Sequence, residues 1–409
     1  KTIFRSRGKI MKKVLIHIGA SKLQESSLRW AKEAGLYVVA TDINSDAASK
    51  NIADEFHCIS GTDVHSLVAL AIDINKKNTV VGAYCSNDFG LMAVASINSE
   101  LNLKGCLKES IEISLNKSLS KTNFIREGIP SPKGVLINID DVSLCKELEW
   151  PLIVKPVDSC GSQGVRFVNS SADLSPAIDN ARKYSDQVLV EEYFEGVGID
   201  TIGIMKDGVL IPCGIEKRVS SQLPYQYPIF GCTPPGISND SVEVAYQLTE
   251  KSALALGIKD GPVKADFLYN QGDFCLLELT PRFHGDVFTS ILMSESFGRS
   301  PILDFFIDMA AKDKIYPMIN RYKERSGSLV LWRVLLPKRE GIDYNDVKNR
   351  ISLNWNLRKM HLDERKKKMT ILHVDNSGIS GFIFIGIEKT EEIQQFNNWF
   401  SVEFKSEFV

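Results

Sequence analysis

From Lys13 onward the chain alternates short apolar runs with amphipathic stretches. KVLIHIGAS reads as a strand ending in a glycine turn, ESSLRWAKEAG carries apolar residues at helical spacing, and LYVVATDIN is a second strand ending at Asp42. A second round follows in HCI at 57–59, the helix VHSLVALAIDINKK, the strand VVGAYC and the helix GLMAVASINSELN. Strands and helices in strict alternation predict a parallel sheet covered by helices. The turn IGASKLQ lacks the GxGxxG spacing of a dinucleotide site, so the sheet reads as structural despite the ribose-like placement of Asp42. Residues 1–10 precede the first periodic position and read as an extension.

After about residue 115 the pattern changes to isolated strands punctuated by glycine and proline. LNKSLSKTNFIREGIPSPKG predicts a short helix with Lys117 and Lys121 one turn apart on one face, stopped by the prolines. In WPLIVKPVDSCGSQGV an apolar strand ends at Lys155 and enters a small, glycine-rich loop. A lysine at the end of a buried strand needs an anion, and Ser159, Gly161, Ser162, Gln163 and Gly164 allow backbone N–H groups to approach phosphate oxygens. A plain loop between two strands is the alternative. The next strand, DQVLVEEYFEGVGID, ends in Glu191, Glu192, Tyr193 and Phe194, with Asp200 opening the strand after it. Aromatic faces beside carboxylates suit a purine nucleoside, though solvated acids at a strand end have the same appearance.

VKADFLYNQGDFCLLELTPRFHG places two acids inside apolar runs. A hairpin centred on Gly272 sets Asp266 opposite Glu278, where Cβ atoms about 5 Å apart make like charges repel. A divalent cation relieves that repulsion, and strand alternation adds Thr280 and Arg282 to the Glu278 face and Lys264 to the Asp266 face. Two carboxylates salt-bridged by Lys264 and Arg282 form the competing account.

Composition narrows the function classes. With 409 residues, 44% hydrophobic and 24% charged, the chain has material for two or three domains with real cores. A net charge of -2 provides no general basic field for nucleic acid, and eight scattered Cys without a CxxC pair fit reduced thiols in a cytoplasmic protein. No apolar run reaches the roughly 18 residues of a membrane span, and the six His are dispersed, without a hydrolase or zinc arrangement.

The ordered set Lys117, Lys155 with its glycine loop, Glu191 to Phe194, Asp200, Asp266, then Glu278-x-Thr280-x-Arg282 resembles the ATP-grasp superfamily, over nearly the whole chain from Met11. The resemblance implies an α/β chain: a Rossmann-like domain over residues 11–115, an ATP-grasp domain over 116–325 and a small C-terminal α+β domain over 326–409. It implies ATP and Mg2+ (or Mn2+) as cofactors. Lys117 and Lys155 would meet ATP phosphates, Gly161 to Gly164 would close over them, Glu191 to Phe194 would form the adenine hinge, and Asp200 would hold ribose. Asp266, Glu278 and Thr280 would be metal ligands. Thr280 stands where the family commonly has Asn. Arg282 would stabilise the transferred phosphoryl group or acyl phosphate.

The activity so implied is carboxylate–amine ligation through an acyl phosphate. A bicarbonate- or carbamate-phosphorylating enzyme and a non-catalytic nucleotide sensor are the alternatives. Partners are then ATP, a small carboxylate and an amine, with no nucleic acid and no membrane, and a homodimer left open. Arg218 and His284 are the further substrate candidates: Arg218 lies in the polar, Pro-rich segment Glu216 to Ser238, which reads as a loop that either lines an acceptor pocket or lies on the surface without contact, and His284 beside Arg282 reads as a substrate contact or as a hydrogen-bonded structural residue. The basic run RKMHLDERKKKM reads as a solvated face between C-terminal strands.

Overall fold

The computed structural model describes residues 11–137, 142–221, 227–285, 287–311, 328–362 and 379–408. These fall into two compact units, residues 11–108 with 302–311, and residues 109–301 with 328–408.

The first unit is built on β1 (Lys13–Ile18), β2 (Tyr37–Asp42), β3 (Glu55–Cys58) and β4 (Thr79–Cys85). All pair in parallel, in the order β3-β2-β1-β4. This is the sheet that strand–helix alternation predicts, and Val14, Leu15, Ile16, Val38, Val39 and Ala40 are fully buried in it. Asp42 accepts from the Ala20 and Asn44 amides, each at 2.9 Å, so its carboxylate closes the turns beside it. The helix Pro301–Ala311, distant in sequence, joins this unit because Phe306 meets Tyr84 edge to face at 5.0 Å.

In the second unit, β5 (Gly134–Ile137), β6 (Leu152–Pro156), β7 (Arg166–Val168) and β8 (Val188–Glu192) form an antiparallel sheet in the order β5-β8-β6-β7. The helix Ser171–Ala181 covers it through Leu174, Ala177 and Ile178. The larger sheet takes β9 (Val197–Lys206), β10 (Val209–Ser220), β11 (Pro228–Thr233), β12 (Gly261–Asn270), β13 (Asp273–Thr280), β14 (Val330–Leu335), β15 (Asn356–Leu362) and β16 (Gly381–Gly386). Their order is β13-β12-β9-β10-β11-β14-β16-β15. The C-terminal strands therefore continue the sheet that carries β9 to β13, and Phe396, Phe400, Phe404 and Phe408 pack against β14 and β16 beneath them.

The segment from Glu216 to Ser238 differs from its reading as a loop. Most of it is a hairpin of β10 and β11, with Arg218 opposite Gly231. Pro228 is tolerated because it occupies the first residue of its strand. Residues 222–226 of that segment, residues 1–10, residues 312–327, which span the expected boundary near 325, and most of the basic run, from 363 onward, lie outside the described residues. Arg358 to Leu362, its first part, belong to β15.

Candidate active site

Four acidic residues form one row across four adjacent strands. Glu216 of β10 is paired with Asp200 of β9, Asp200 with Asp266 of β12, and Asp266 with Glu278 of β13. Residues directly opposed on neighbouring strands point to the same face, so the carboxylates share one face. The Asp266 to Glu278 pairing is the one that a hairpin centred on Gly272 predicts, but the turn does not produce it. The turn pairs Asn270 with Asp273 and Phe267 with Leu276, one residue out of that register. Leu277 then bulges, and the shift brings Glu278 opposite Asp266 and Thr280 opposite Lys264.

The repulsion expected between Asp266 and Glu278 is relieved by Lys264, whose Nζ lies 2.6 Å from Asp266 Oδ2 and 3.1 Å from Glu278 Oε1. This corrects the expectation that the pair needs a metal to coexist. Burial pushes the Glu278 carboxyl up, but Lys264 and Lys117 more than offset it and hold the group well below the usual carboxylate range. Asp266 is moved the other way, by burial and by the charges of Asp200 and Glu278, against Lys264. Its Oδ1 is buried without a hydrogen-bond partner, as is Thr280 Oγ1. Hard oxygen atoms left open beside a second carboxylate fit Mg2+.

At the other end of the row, Arg218 grips Asp200 through Nε to Oδ2 at 2.8 Å and Nη2 to Oδ1 at 2.9 Å. Gly198 makes this reach possible, since a Cβ there would come within 3.1 Å of the Arg218 Cβ. Glu216 is fully buried; its Oε2 accepts from Trp332 Nε1 at 2.7 Å and its Oε1 lies 2.7 Å from His284 Nδ1. Gly231 lets the indole approach the strand, because a Cβ there would fall 2.7 Å from Trp332 Nε1. Phe288 stacks on the His284 ring at 4.7 Å and meets Trp332 edge to face. Burial pushes the Glu216 carboxyl up, against the influence of His284. One ligand atom from each of Asp200, Glu216 and His284 lies within 4.8 Å of the others. Arg218 already supplies the positive charge there, and both Asp200 oxygens are committed to it.

A second charged group is built around β8. Glu191, buried, pairs with Lys121 Nζ at 2.6 Å and with Lys155. Burial alone would push the Glu191 carboxyl up, but the two lysines bring it below its usual value. Burial and the charge on Lys155 depress Lys121, against the pull of Glu191. Cys275 of β13 adjoins this group, and burial followed by the Glu191 charge pushes its thiol up to about 12. Lys117 donates to the Ser159 carbonyl, tying the helix Lys117–Arg126 to the glycine loop. In that loop Gly161, Ser162 and Gly164 all have positive φ, at 67°, 61° and 75°. A Cβ on Gly161 would meet nothing within 4 Å, so its backbone is open to close approach. Glu192 accepts from the Glu149 amide at 3.0 Å, and Tyr193 sits edge to face against Phe167 at 5.1 Å.

Residues 138–280 match the family model described as D-ala D-ala ligase C-terminus. Over 184 residues the chain is 30% identical to the D-alanine–D-alanine ligase of Maridesulfovibrio salexigens, covering 43% of this chain and 60% of that protein. Among solved structures it superposes on an L-amino acid ligase from Bacillus licheniformis with a TM-score of 0.80 at 17% identity, covering 97% of this chain and 98% of that one. The N5-carboxyaminoimidazole synthetase of Staphylococcus aureus, in complex with ADP, gives 0.73 at 15% identity, over 95% and 97% of the two chains. This is the ATP-grasp fold. The chain spans 54–60% of the length of the first curated relatives that it matches.

Against the ATP-grasp resemblance, the structure brings together most of the candidates and moves two. Lys155 and Glu191 are ion-paired, and Lys117 acts on Glu278 while holding the glycine loop. Asp266, Glu278, Thr280 and Lys264 meet in one hairpin. Asp200 does not suit ribose: it has no exposed surface, and both oxygens are held by Arg218. Arg218, expected at a substrate carboxylate, is correspondingly committed to Asp200. Arg282 Nη1 donates to the Phe283 carbonyl at 3.1 Å, and its charge acts on both Lys264 and Glu278. The sequence reading does not single out Glu216, Trp332 or Phe288, and it places Lys121 beside Lys117 without assigning it to the site. Glu216 had a signal, since it lies two strand positions from Arg218 and so on the same face; Trp332 comes from a strand whose neighbours only the fold decides.

Proposed function

We propose that this chain is an ATP- and Mg2+-dependent carboxylate–amine ligase, activating an acid as its acyl phosphate and releasing ADP and phosphate as an amine attacks. The observation that carries this reading is the row Glu216, Asp200, Asp266 and Glu278 with Lys264 and Lys117 at its Glu278 end, cations and hard oxygen atoms on a single face. The match of residues 138–280 to a ligase family model supports the same chemistry. Phosphoryl transfer needs positioning and charge neutralisation more than covalent help.

In this reading Lys155 and Lys117 hold phosphate oxygens, residues 159–164 cover them, and Glu191 to Phe194 border the nucleoside. Asp266 and Glu278, with Thr280 beside them, hold Mg2+, which when bound supplies charge neutralisation at the transferred phosphoryl group. Lys264 keeps the two carboxylates compatible. Arg282 faces the charge that develops on the acyl phosphate. Residues of the D-alanine ligases that match this chain make an amino-acid carboxylate the first acid to try.

ADP release is the deciding measurement, using Mg-ATP with D-alanine, L-alanine, other amino acids and bicarbonate, singly and in pairs. Release that requires an acid with an amine supports ligation. Dependence on bicarbonate alone, or ATP binding with no turnover, overturns it.

A further inference from the structure

We infer that Lys121 is a positioning residue for the nucleotide: it answers the charge of Glu191, so that Lys155 keeps a positive charge to offer a phosphate. The inference rests on the ligase reading above, in which Lys155 meets phosphate, and adds the residue that makes this possible. A lysine whose charge is fully matched by a carboxylate at contact distance offers an incoming anion little net attraction. A second cation on the same carboxylate changes that.

The backbone assembles the group. Glu191 of β8 stands opposite Ile153 of β6, and Lys155 is paired with Leu189 one strand alternation further on, so Glu191 and Lys155 are diagonal neighbours on one face. On its other side Glu191 is paired with Gly134 of β5, where a Cβ would fall 2.8 Å from the Glu191 Cγ. Gly134 thus leaves room for the glutamate side chain. The helix Lys117–Arg126 brings Lys121 to the same carboxylate.

The two lysines divide the carboxylate between them. Lys121 Nζ lies 2.6 Å from Oε1, and Lys155 Nζ takes Oε2. Lys121 also donates to the Pro132 carbonyl; both of these partners are acceptors, which suits an ammonium ion with three protons to place. Glu191 is 3% exposed and each lysine 8%, so solvent and salt screen these charges weakly. The neighbouring Cys275 adds no charge at neutral pH, because burial and then the Glu191 charge raise its thiol to about 12. Two ammonium groups against one carboxylate leave one positive charge over. Without Lys121 the sum is zero, and Lys155 is held in a closed pair with Glu191.

Binding of ADP with Mg2+, measured by titration calorimetry on the full chain, tests this in a cycle of four proteins: wild type, Lys121→Gln, Glu191→Gln and the double variant. Lys121→Gln removes the charge and keeps a donor for the Pro132 carbonyl. It is expected to weaken ADP binding about ten- to a hundredfold, the loss of one charge-assisted phosphate contact. With Glu191→Gln already present, the same change is expected to cost less than about threefold, since the lysine then has no charge to answer. An equal loss in both backgrounds overturns the inference and leaves Lys121 a structural tie to Pro132, and no loss in either overturns it as well. A wild-type chain that binds no ADP fails the nucleotide reading itself, and that single titration tells the two failures apart. Should Lys121→Gln not fold, Lys121→Met enters the same cycle and the same comparison decides.

Discussion

Asp200 and Arg218 form a two-pronged ion pair in which the carboxylate has no exposed surface, with contacts of 2.8 and 2.9 Å. Burial opposes the charge on Asp200, and Arg218 overcomes it, bringing the carboxyl below its usual value. Removing one partner strands a buried charge, so Arg218→Ala is expected to cost about 3 to 5 kcal/mol. Arg218→Met with Asp200→Asn is expected to regain most of it. Urea unfolding of the three proteins checks this, and a near-silent Arg218→Ala would show that the pair contributes little.

Lys264 changes what is expected of Glu278→Gln. With Lys264 bridging Asp266 and Glu278, loss of the Glu278 charge leaves the lysine with one partner, and metal-free stability falls. Glu278 keeps 34% of its side chain accessible, so the loss is held to below about 1 kcal/mol. Turnover with Mg-ATP is expected to fall by two or more orders of magnitude. Melting curves without metal, set beside the rate, test both halves; a variant that is destabilised and fully active would exclude Glu278 from the metal site.

Glu191 sets a pH dependence. Its folded carboxyl lies below the usual 4.5, because Lys155 and Lys121 outweigh the burial that pushes it up. A depressed carboxyl contributes stability that is complete above the unfolded value and is lost as pH falls through the folded one. The stability gap between wild type and Glu191→Gln should therefore stay level from neutral pH to about 4.5 and shrink below it. Chemical denaturation at pH 7, 5, 4 and 3 measures the gap, and a gap that widens in acid contradicts the assignment.

The glycine loop offers a test of nucleotide contact. Gly161 and Gly164 have positive φ and Lys117 is tied to Ser159, so nucleotide phosphates would exchange that lysine contact for their own. Amide exchange across residues 158–165 is expected to slow when Mg2+ and a non-hydrolysable ATP analogue are added. Protection confined to other segments would make the loop a passive connector.

Local signals alone determined the parallel first sheet, the strand ending at Lys155 and the glycine loop, and they brought Asp266 and Glu278 onto one hairpin. Each depends on periodicity or turn chemistry within about 25 residues, where side-chain direction follows from backbone geometry. Even there, the turn at Gln271 and Gly272 starts one residue out of register, and the bulge at Leu277 restores it, a compensation that no single pattern encodes. Tertiary structure decided the partners. Glu216 meets Trp332 across 116 residues and Arg218 meets Asp200 across 18, because the order of strands in the eight-stranded sheet sets which side chains become neighbours. It also decided charge: whether a buried acid is answered by a metal, a lysine or an arginine depends on which cation the fold delivers to it. For Asp266 and Glu278 that cation is Lys264, and for Asp200 it is Arg218.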